Sequence, residues 1–430
     1  MMRRLIAVLV LLLVRLAAQE PAAAFREIDR NLRELTAISG LKARKRVAYE
    51  MITRERVHDF LRKRVKEVVK PEEIRAEELA LKKFGFVPAD FNLEKSTVEL
   101  LTEQAAALYD FRKKKLFLTD WTSSDMQETA LVHELAHALA DQNFDLERFI
   151  ERAGKSDDGS IAALAVMEGQ ASWLMAEVLA RKTGQTLKGN PAFLESMIGA
   201  TETGTAQYPV FSSMPLYMRE TLVFPYTAGM RFQQALLERM GMAGFQEIFR
   251  RPPVTTQQIL HPEKYFAGVA PTRTRLPPTA GTRGFKRLVD GMVGEMDHAI
   301  LLRQYASKDE AEAIAPHWRG GAYAVFENQA RTRSVLAYAV EWDSAEVARR
   351  YFECYRQVLR KKWKKMEVQS ESDEEIRGIG DDGHFVVRLN GATLTSLEGL
   401  ERSADLEKPE RRSRSTLHLD RELNLSFAHQ

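Results

Sequence analysis

The run Ala130-Leu131-Val132-His133-Glu134-Leu135-Ala136-His137-Ala138-Leu139-Ala140 constrains this chain more than any other stretch. It reads as a helix. A helix turns about 100° per residue, so His133 and His137, at i and i+4, project side by side from one face. Two neutral imidazoles at that spacing can hold one zinc ion, and Glu134 then stands where it can take a proton from bound water. Two core histidines on a buried helix would give the same five residues. A third ligand, a fold and a compartment have to come from elsewhere in the chain.

The third ligand is sought on the next helix. Ser124 and Gln127 suit a capping box for the first helix, which should run to about Asn143. After a loop through Gly154, Asp157, Asp158 and Gly159, Ser160 is the expected N-cap of a helix over Ile161 to Lys182, with Gly184 just beyond its end. Glu168 lies there in a nearly charge-free stretch beside Val166, Met167, Gly169 and Ala171, where an unpaired carboxylate would be costly. A cation beside it removes that cost, and Gly169 permits close helix packing. Glu177 is the competing carboxylate, further along and near the polar end. The expected centre is one Zn²⁺ held by His133, His137 and Glu168, with Glu134 as general base.

Compartment is read from the amino terminus. Met1-Met2-Arg3-Arg4 is a basic segment, Leu5 to Val14 an apolar run of signal-peptide length, and Leu16-Ala17-Ala18-Gln19 a small-residue cleavage site, with Ala22-Ala23-Ala24 as another. Ten apolar residues are too few to span a bilayer, so the expectation is an exported protein, periplasmic or extracellular, with no stable membrane span after cleavage of 1–24. The only cysteine, Cys354, cannot form an intrachain disulfide and falls on an apolar helical face with Tyr351, Tyr355 and Val358, which marks a core thiol. A net charge of +3 from 63 basic and 60 acidic residues argues for neither nucleic acid nor membrane surface as the main partner.

With 430 residues the chain can form more than one domain. The fold class expected is α+β and mainly helical. Residues 25–100 read as helical, with the stripe Ile28, Leu32, Leu35 and Ile38. Residues 101–270 carry the metal motif, preceded by a hairpin whose basic turn is Arg112-Lys113-Lys114. Its second strand, Leu116 to Leu118, reads either as ordinary or as an edge open to an extended peptide. Arg251-Pro252-Pro253 breaks the chain after a helix over Gly229 to Met240. Residues 271–290 form a proline-rich linker. Residues 291–430 form an α+β domain: helix over Glu295 to Ala315, strands near Tyr323 to Glu327, Val335 to Trp342 and His384 to Leu389, and a helix capped by Ser344. Thr393 to Leu400 is helix or strand, and the tail from Arg402 is frayed.

His133-Glu134-Leu135-Ala136-His137, followed by Glu168-Gly169-Gln170-Ala171, resembles the gluzincin zinc metallopeptidases, in which a second helix donates a glutamate to the metal. Phe224-Pro225-Tyr226-Thr227-Ala228-Gly229, the run Thr256 to Tyr265 with His261-Pro262-Glu263-Lys264-Tyr265, and Gly294-Glu295 with Trp318 look like a poorly characterised exported bacterial and archaeal branch. The resemblance implies a zincin-like catalytic domain and a tyrosine or histidine donor to the oxyanion, with Tyr226 and His261 as candidates and Tyr217 behind them. Thermolysin-like members place an aspartate four residues after the ligand glutamate, where this chain has Ser172. Ser172 or, for His137, Asp141 is left to orient the histidines.

The leading expectation is hydrolysis of peptide bonds in a peptide or protein substrate. The alternatives are a binding scaffold derived from a metallopeptidase without turnover, and a zinc amidase acting on cell-wall material.

Overall fold

The computed structural model describes residues 27–401 except 69, 105–106, 122–123, 155, 206, 280–281 and 283. The expected signal at 1–24, the tail from Arg402 and the Ser124 side chain lie outside the described residues. The first helix, α1 (Ile28–Ser39), buries the stripe Ile28, Leu32, Leu35 and Ile38, and Gly40 ends it at φ +71°. Next come β1 (Ala48–Ile52), α2 (Arg54–Val68), α3 (Pro71–Phe84) and α4 (Leu93–Gln104). The strand β1 departs from the all-helical expectation for this region, because its partner lies far ahead in sequence. β2 (Ala107–Asp110) and β3 (Lys115–Thr119) form the expected hairpin, and β1 pairs parallel with β3. In the turn, Asp110 Oδ1 accepts the N–H groups of Arg112 (3.0 Å) and Lys113 (3.1 Å). The order β1-β3-β2 makes β3 the central strand, so Leu116 to Leu118 is not an edge. The edges are β1 and β2.

Two long helices follow, α5 (Ser124–Phe144) and, beyond α6 (Leu146–Ala153), α7 (Asp157–Lys182). Gln127 Nε2 donates to the Thr119 carbonyl at 2.9 Å and ties α5 to β3. Ser156 rather than Ser160 caps α7, accepting the Gly159 N–H at 3.0 Å. The helix starts earlier because Asp157 and Asp158 suit the positive end of its dipole. α7 is apolar nearly all round and buried nearly all round.

α8 (Pro191–Thr205) and α9 (Pro209–Ser213) lead into α10 (Leu216–Met240). This helix begins well before Gly229 and continues through Pro225. Proline removes one backbone donor there, and burial of Tyr217, Met218, Leu222, Phe224, Phe232 and Leu236 offsets the loss. α11 (Gly244–Arg250), α12 (Thr256–Leu260) and α13 (Pro262–Phe266) close this half of the chain, with Arg251-Pro252-Pro253 as the break.

The carboxy-terminal half is α+β, as expected. Residues 269–279 carry no helix or strand, but β4 (Phe285–Gly291) falls inside the segment read as linker, paired to a strand that follows it. After α14 (Glu295–Tyr305) and α15 (Lys308–Ile314) come β5 (Trp318–Asn328), β6 (Ser334–Trp342), α16 (Ala345–Lys362), β7 (Met366–Glu371), β8 (Glu375–Gly380), β9 (Gly383–Asn390) and β10 (Thr393–Leu400). The seven strands form one antiparallel sheet in the order β4-β5-β6-β10-β9-β8-β7, so Thr393 to Leu400 is strand. Ser344 caps α16 as expected. Burial pushes the Cys354 thiol up to about 12, which suits a core residue.

Between α14, β6 and α16 lies a buried chain of polar groups. Tyr351 donates to Tyr338 (2.8 Å), Tyr338 donates to His298 Nε2 (2.6 Å), and His298 Nδ1 donates to the Gly294 carbonyl (2.7 Å). Burial pulls the His298 pKa from 6.5 down to about 4. The unfolded chain therefore binds this proton more readily than the folded one between those values, and stability falls as pH drops through that window. Urea unfolding should show the wild type losing about 2 kcal/mol more than His298→Gln between about pH 7 and about pH 5. Equal losses in the two proteins would remove His298 as the cause.

Candidate metal centre

α5 and α7 bring the three expected ligands together at the middle of the helical half. The Nε2 atoms of His133 and His137 lie 3.0 Å apart. Glu168 Oε2 is 3.2 Å from His133 Nε2 and 3.4 Å from His137 Nε2. Ligand atoms about 2.0–2.2 Å from a tetrahedral ion stand about 3.3–3.5 Å from one another, close to the triangle seen here. All three side chains are buried. Each neutral imidazole has a single N–H, too few to make hydrogen bonds of all three contacts and also serve the outer nitrogens. Among the described residues His133 Nδ1 and Glu168 Oε1 have no hydrogen-bond partner. A buried carboxylate facing two imidazole lone pairs lacks a compensating positive charge, and a cation at the centre of the triangle supplies it. The three residues could hold a metal ion.

The electrostatics agree with this. Burial drives the His133 pKa down to about 4, against the pull of Glu168, so the ring is a neutral ligand. Burial alone would push Glu168 up, but the two imidazoles, His137 foremost, outweigh it and hold the carboxyl below its usual range. Glu134 is the opposite case. Burial, then the charge of Glu168, raise its pKa well above the usual value. The backbone N–H of Tyr109 on β2 works weakly against that rise without making a hydrogen bond of good geometry, since both Glu134 oxygens are unpartnered.

Glycine sets how closely the third helix approaches. A Cβ on Gly169 would lie 2.2 Å from the Gly229 carbonyl carbon, and one on Gly229 would lie 2.3 Å from the Ala165 oxygen. α7 and α10 therefore cross backbone to backbone, next to Glu168 and one turn after Tyr226. That crossing puts the Tyr226 ring 6.1 Å from the His133 ring, tilted by 27°. Of the candidates for an oxyanion donor, Tyr226 is the one beside the ligands.

The others are placed differently. His261 Nε2 bonds Glu295 Oε1 at 2.7 Å, and no hydrogen bond or ion pair joins it to the ligands among the described residues. The run around it is a clasp: Gln257 Nε2 donates to the Trp318 carbonyl (2.7 Å), and the Tyr265 hydroxyl donates to that of Arg251 (2.7 Å). Tyr217 is buried against Phe86, with ring centroids 4.4 Å apart. Glu177 takes Arg181 (2.8 Å), the Thr186 hydroxyl and the Leu187 N–H (2.8 Å), a structural set at the end of α7. Neither proposed orienting residue acts as expected. Ser172 is buried but does not bond His133, whose Nδ1 is unpartnered. Asp141 is fully engaged by the Tyr109 hydroxyl (2.9 Å), Lys114 Nζ (2.8 Å) and the Leu146 N–H (3.0 Å). Asp141 instead fastens β2 and its turn to α5. Tyr109 is the site residue that sequence reasoning missed, because only the fold brings it over Glu134.

Elemental analysis of the purified protein should find about one metal ion per chain, and Glu168→Gln or His137→Ala should retain less than about a tenth of it. Glu177→Gln should keep the metal; its loss there would move the third ligand. Gly169→Ala should cost about 3 kcal/mol in denaturant unfolding, since backbone must shift to admit one methyl group. A neutral result would show that the crossing is not tight.

Residues 238–409 match a family model described as Domain of unknown function (DUF8575). The match begins near the end of α10 and takes in the clasp and the seven-stranded sheet, leaving His133, Glu134, His137 and Glu168 outside it. No curated protein and no solved structure matches the chain.

Proposed function

We propose that the chain is an exported zinc-dependent metallopeptidase of the gluzincin type. The observation that carries this reading is the triangle of His133, His137 and Glu168 with Glu134 beside it. Two imidazole nitrogens and one carboxylate oxygen are a donor set that suits zinc and leaves a fourth position open. Zinc bound there supplies a Lewis acid that polarises a carbonyl and brings the pKa of water near neutrality.

The remaining work belongs to side chains and backbone. Glu134, one residue along α5 from His133, accepts a proton from the attacking water and passes it to the leaving amine. The Tyr226 hydroxyl donates to the oxyanion. The backbone of β2 at Tyr109 runs beside Glu134 and offers an extended peptide an edge to pair with.

A second reading, a metal-binding scaffold without turnover, is favoured by two observations. His133 Nδ1 lacks the outer partner that ligating histidines usually have, and both His133 and Glu134 are wholly buried. One experiment separates the readings. Wild type and Glu134→Gln, both checked for zinc, are assayed on a diverse peptide library and on cell-wall fragments. The peptidase reading requires cleavage of peptides that falls by about 10²–10⁴ in Glu134→Gln while zinc is retained. Zinc at full occupancy with no cleavage of any substrate establishes the scaffold, and turnover confined to cell-wall fragments establishes an amidase.

A further inference from the structure

The loop between α1 and β1 reads Leu41-Lys42-Ala43-Arg44-Lys45-Arg46-Val47. Leu41 and Val47 are buried and anchor its ends, while residues 42–46 are exposed. Its backbone is held by the end of α5. Gln142 Oε1 accepts the N–H groups of Arg44 (2.6 Å) and Lys45 (3.0 Å), and Gln142 Nε2 donates to the Lys45 carbonyl (3.0 Å). Asn143 Nδ2 donates to the Lys42 carbonyl (3.1 Å). Lys42, Arg44, Lys45 and Arg46, with Arg33 from α1, border a surface depression of about 620 Å³. Among the described residues Asp29 is the only acidic group lining it, and no aromatic side chain does.

Cations elsewhere are widely paired, as Arg75 is with Glu327 and Lys362 with Glu398. Among the described residues none of these five makes an ion pair. A loop backbone fixed by four side-chain hydrogen bonds thus holds four cations beside Arg33 around one hollow, where the five repel one another until an anion arrives.

We propose that this depression docks the protein onto the phosphate headgroups of an anionic lipid bilayer. Exposed, long cationic side chains on a surface hollow suit a plane of phosphates. The absence of lining aromatics leaves nucleobases nothing to stack on. Gln142 and Asn143 lie roughly 140° and 240° around α5 from His137, so the docked face is turned away from the metal ligands.

The test is sedimentation of the purified protein with vesicles of phosphatidylcholine alone or with about one third phosphatidylglycerol, at low salt and at about 0.5 M salt. Binding should require phosphatidylglycerol, vanish at high salt, and weaken at least about tenfold when Arg33, Lys42, Arg44, Lys45 and Arg46 are all changed to Gln. Changing Lys188, Arg273, Arg275, Lys286 and Lys364 to Gln removes the same charge from elsewhere and should leave binding in place. Should the first variant lose its circular-dichroism signal, Lys45→Gln with Arg46→Gln is measured instead, with a weakening of about threefold. Equal losses in the patch and control variants, or no binding to anionic vesicles, overturn the proposal. Displacement from vesicles by millimolar inorganic phosphate, or tight binding of a duplex oligonucleotide without vesicle binding, reassigns the site to free phosphate or nucleic acid and equally overturns it.

Discussion

A carboxylate at the middle of a helix buried on every side is the constraint around which this molecule is arranged. Glu168 cannot reach water from α7, and no cationic side chain reaches it. Its neighbours are the imidazoles of His133 and His137, and burial keeps that of His133 neutral. A positive charge inside the triangle would compensate the buried carboxylate, and the three residues could hold a metal ion there. The close crossing of α7 and α10 at Gly169 and Gly229 follows from the same need, since it closes the space beside Glu168 with backbone rather than side chain.

The same helix joins the two halves of the chain. Asp158 in its first turn accepts the Thr256 N–H (2.8 Å) and hydroxyl (2.7 Å), and Asp157 accepts the Tyr323 hydroxyl at 3.1 Å. A Cβ on Gly294 would fall 1.8 Å from Asp158 Oδ1, so that residue must stay glycine for the carboxylate to reach Thr256. The acids that favour the start of α7 therefore also anchor the clasp and the sheet. This explains why the His261 run is legible as a motif and yet stands apart from the ligands: its polar groups hold the carboxy-terminal half to the metal-bearing helix.

The parts legible in the sequence were those governed by local rules. Helical spacing placed His133 beside His137, and the cost of burying Glu168 pointed to the third ligand without any view of the fold. Alternating β-formers gave β5, β6 and β9. What escaped depended on distant partners. β1 is a strand only because β3 accepts it, and that pairing puts β3 in the centre and leaves β1 and β2 as the edges. Pro225 sits inside α10 because tertiary burial outweighs a local helix breaker. Asp141 stands one turn after His137, the right spacing for an orienting partner, yet Tyr109 and Lys114 claim it from the neighbouring hairpin.

Charge gives the sharpest case of a sum hiding a distribution. A net +3 from 63 basic and 60 acidic residues describes an almost neutral protein, and on that total no anionic surface is expected to attract it. Electrostatic attraction, however, falls away within about 8–10 Å at physiological ionic strength, so a partner responds to the groups it faces and not to the total. Around the α1–β1 loop it faces five cations and one acid. Whole-chain charge therefore excludes partners only when opposite charges are interleaved on the surface, and the lining of this depression is not so interleaved.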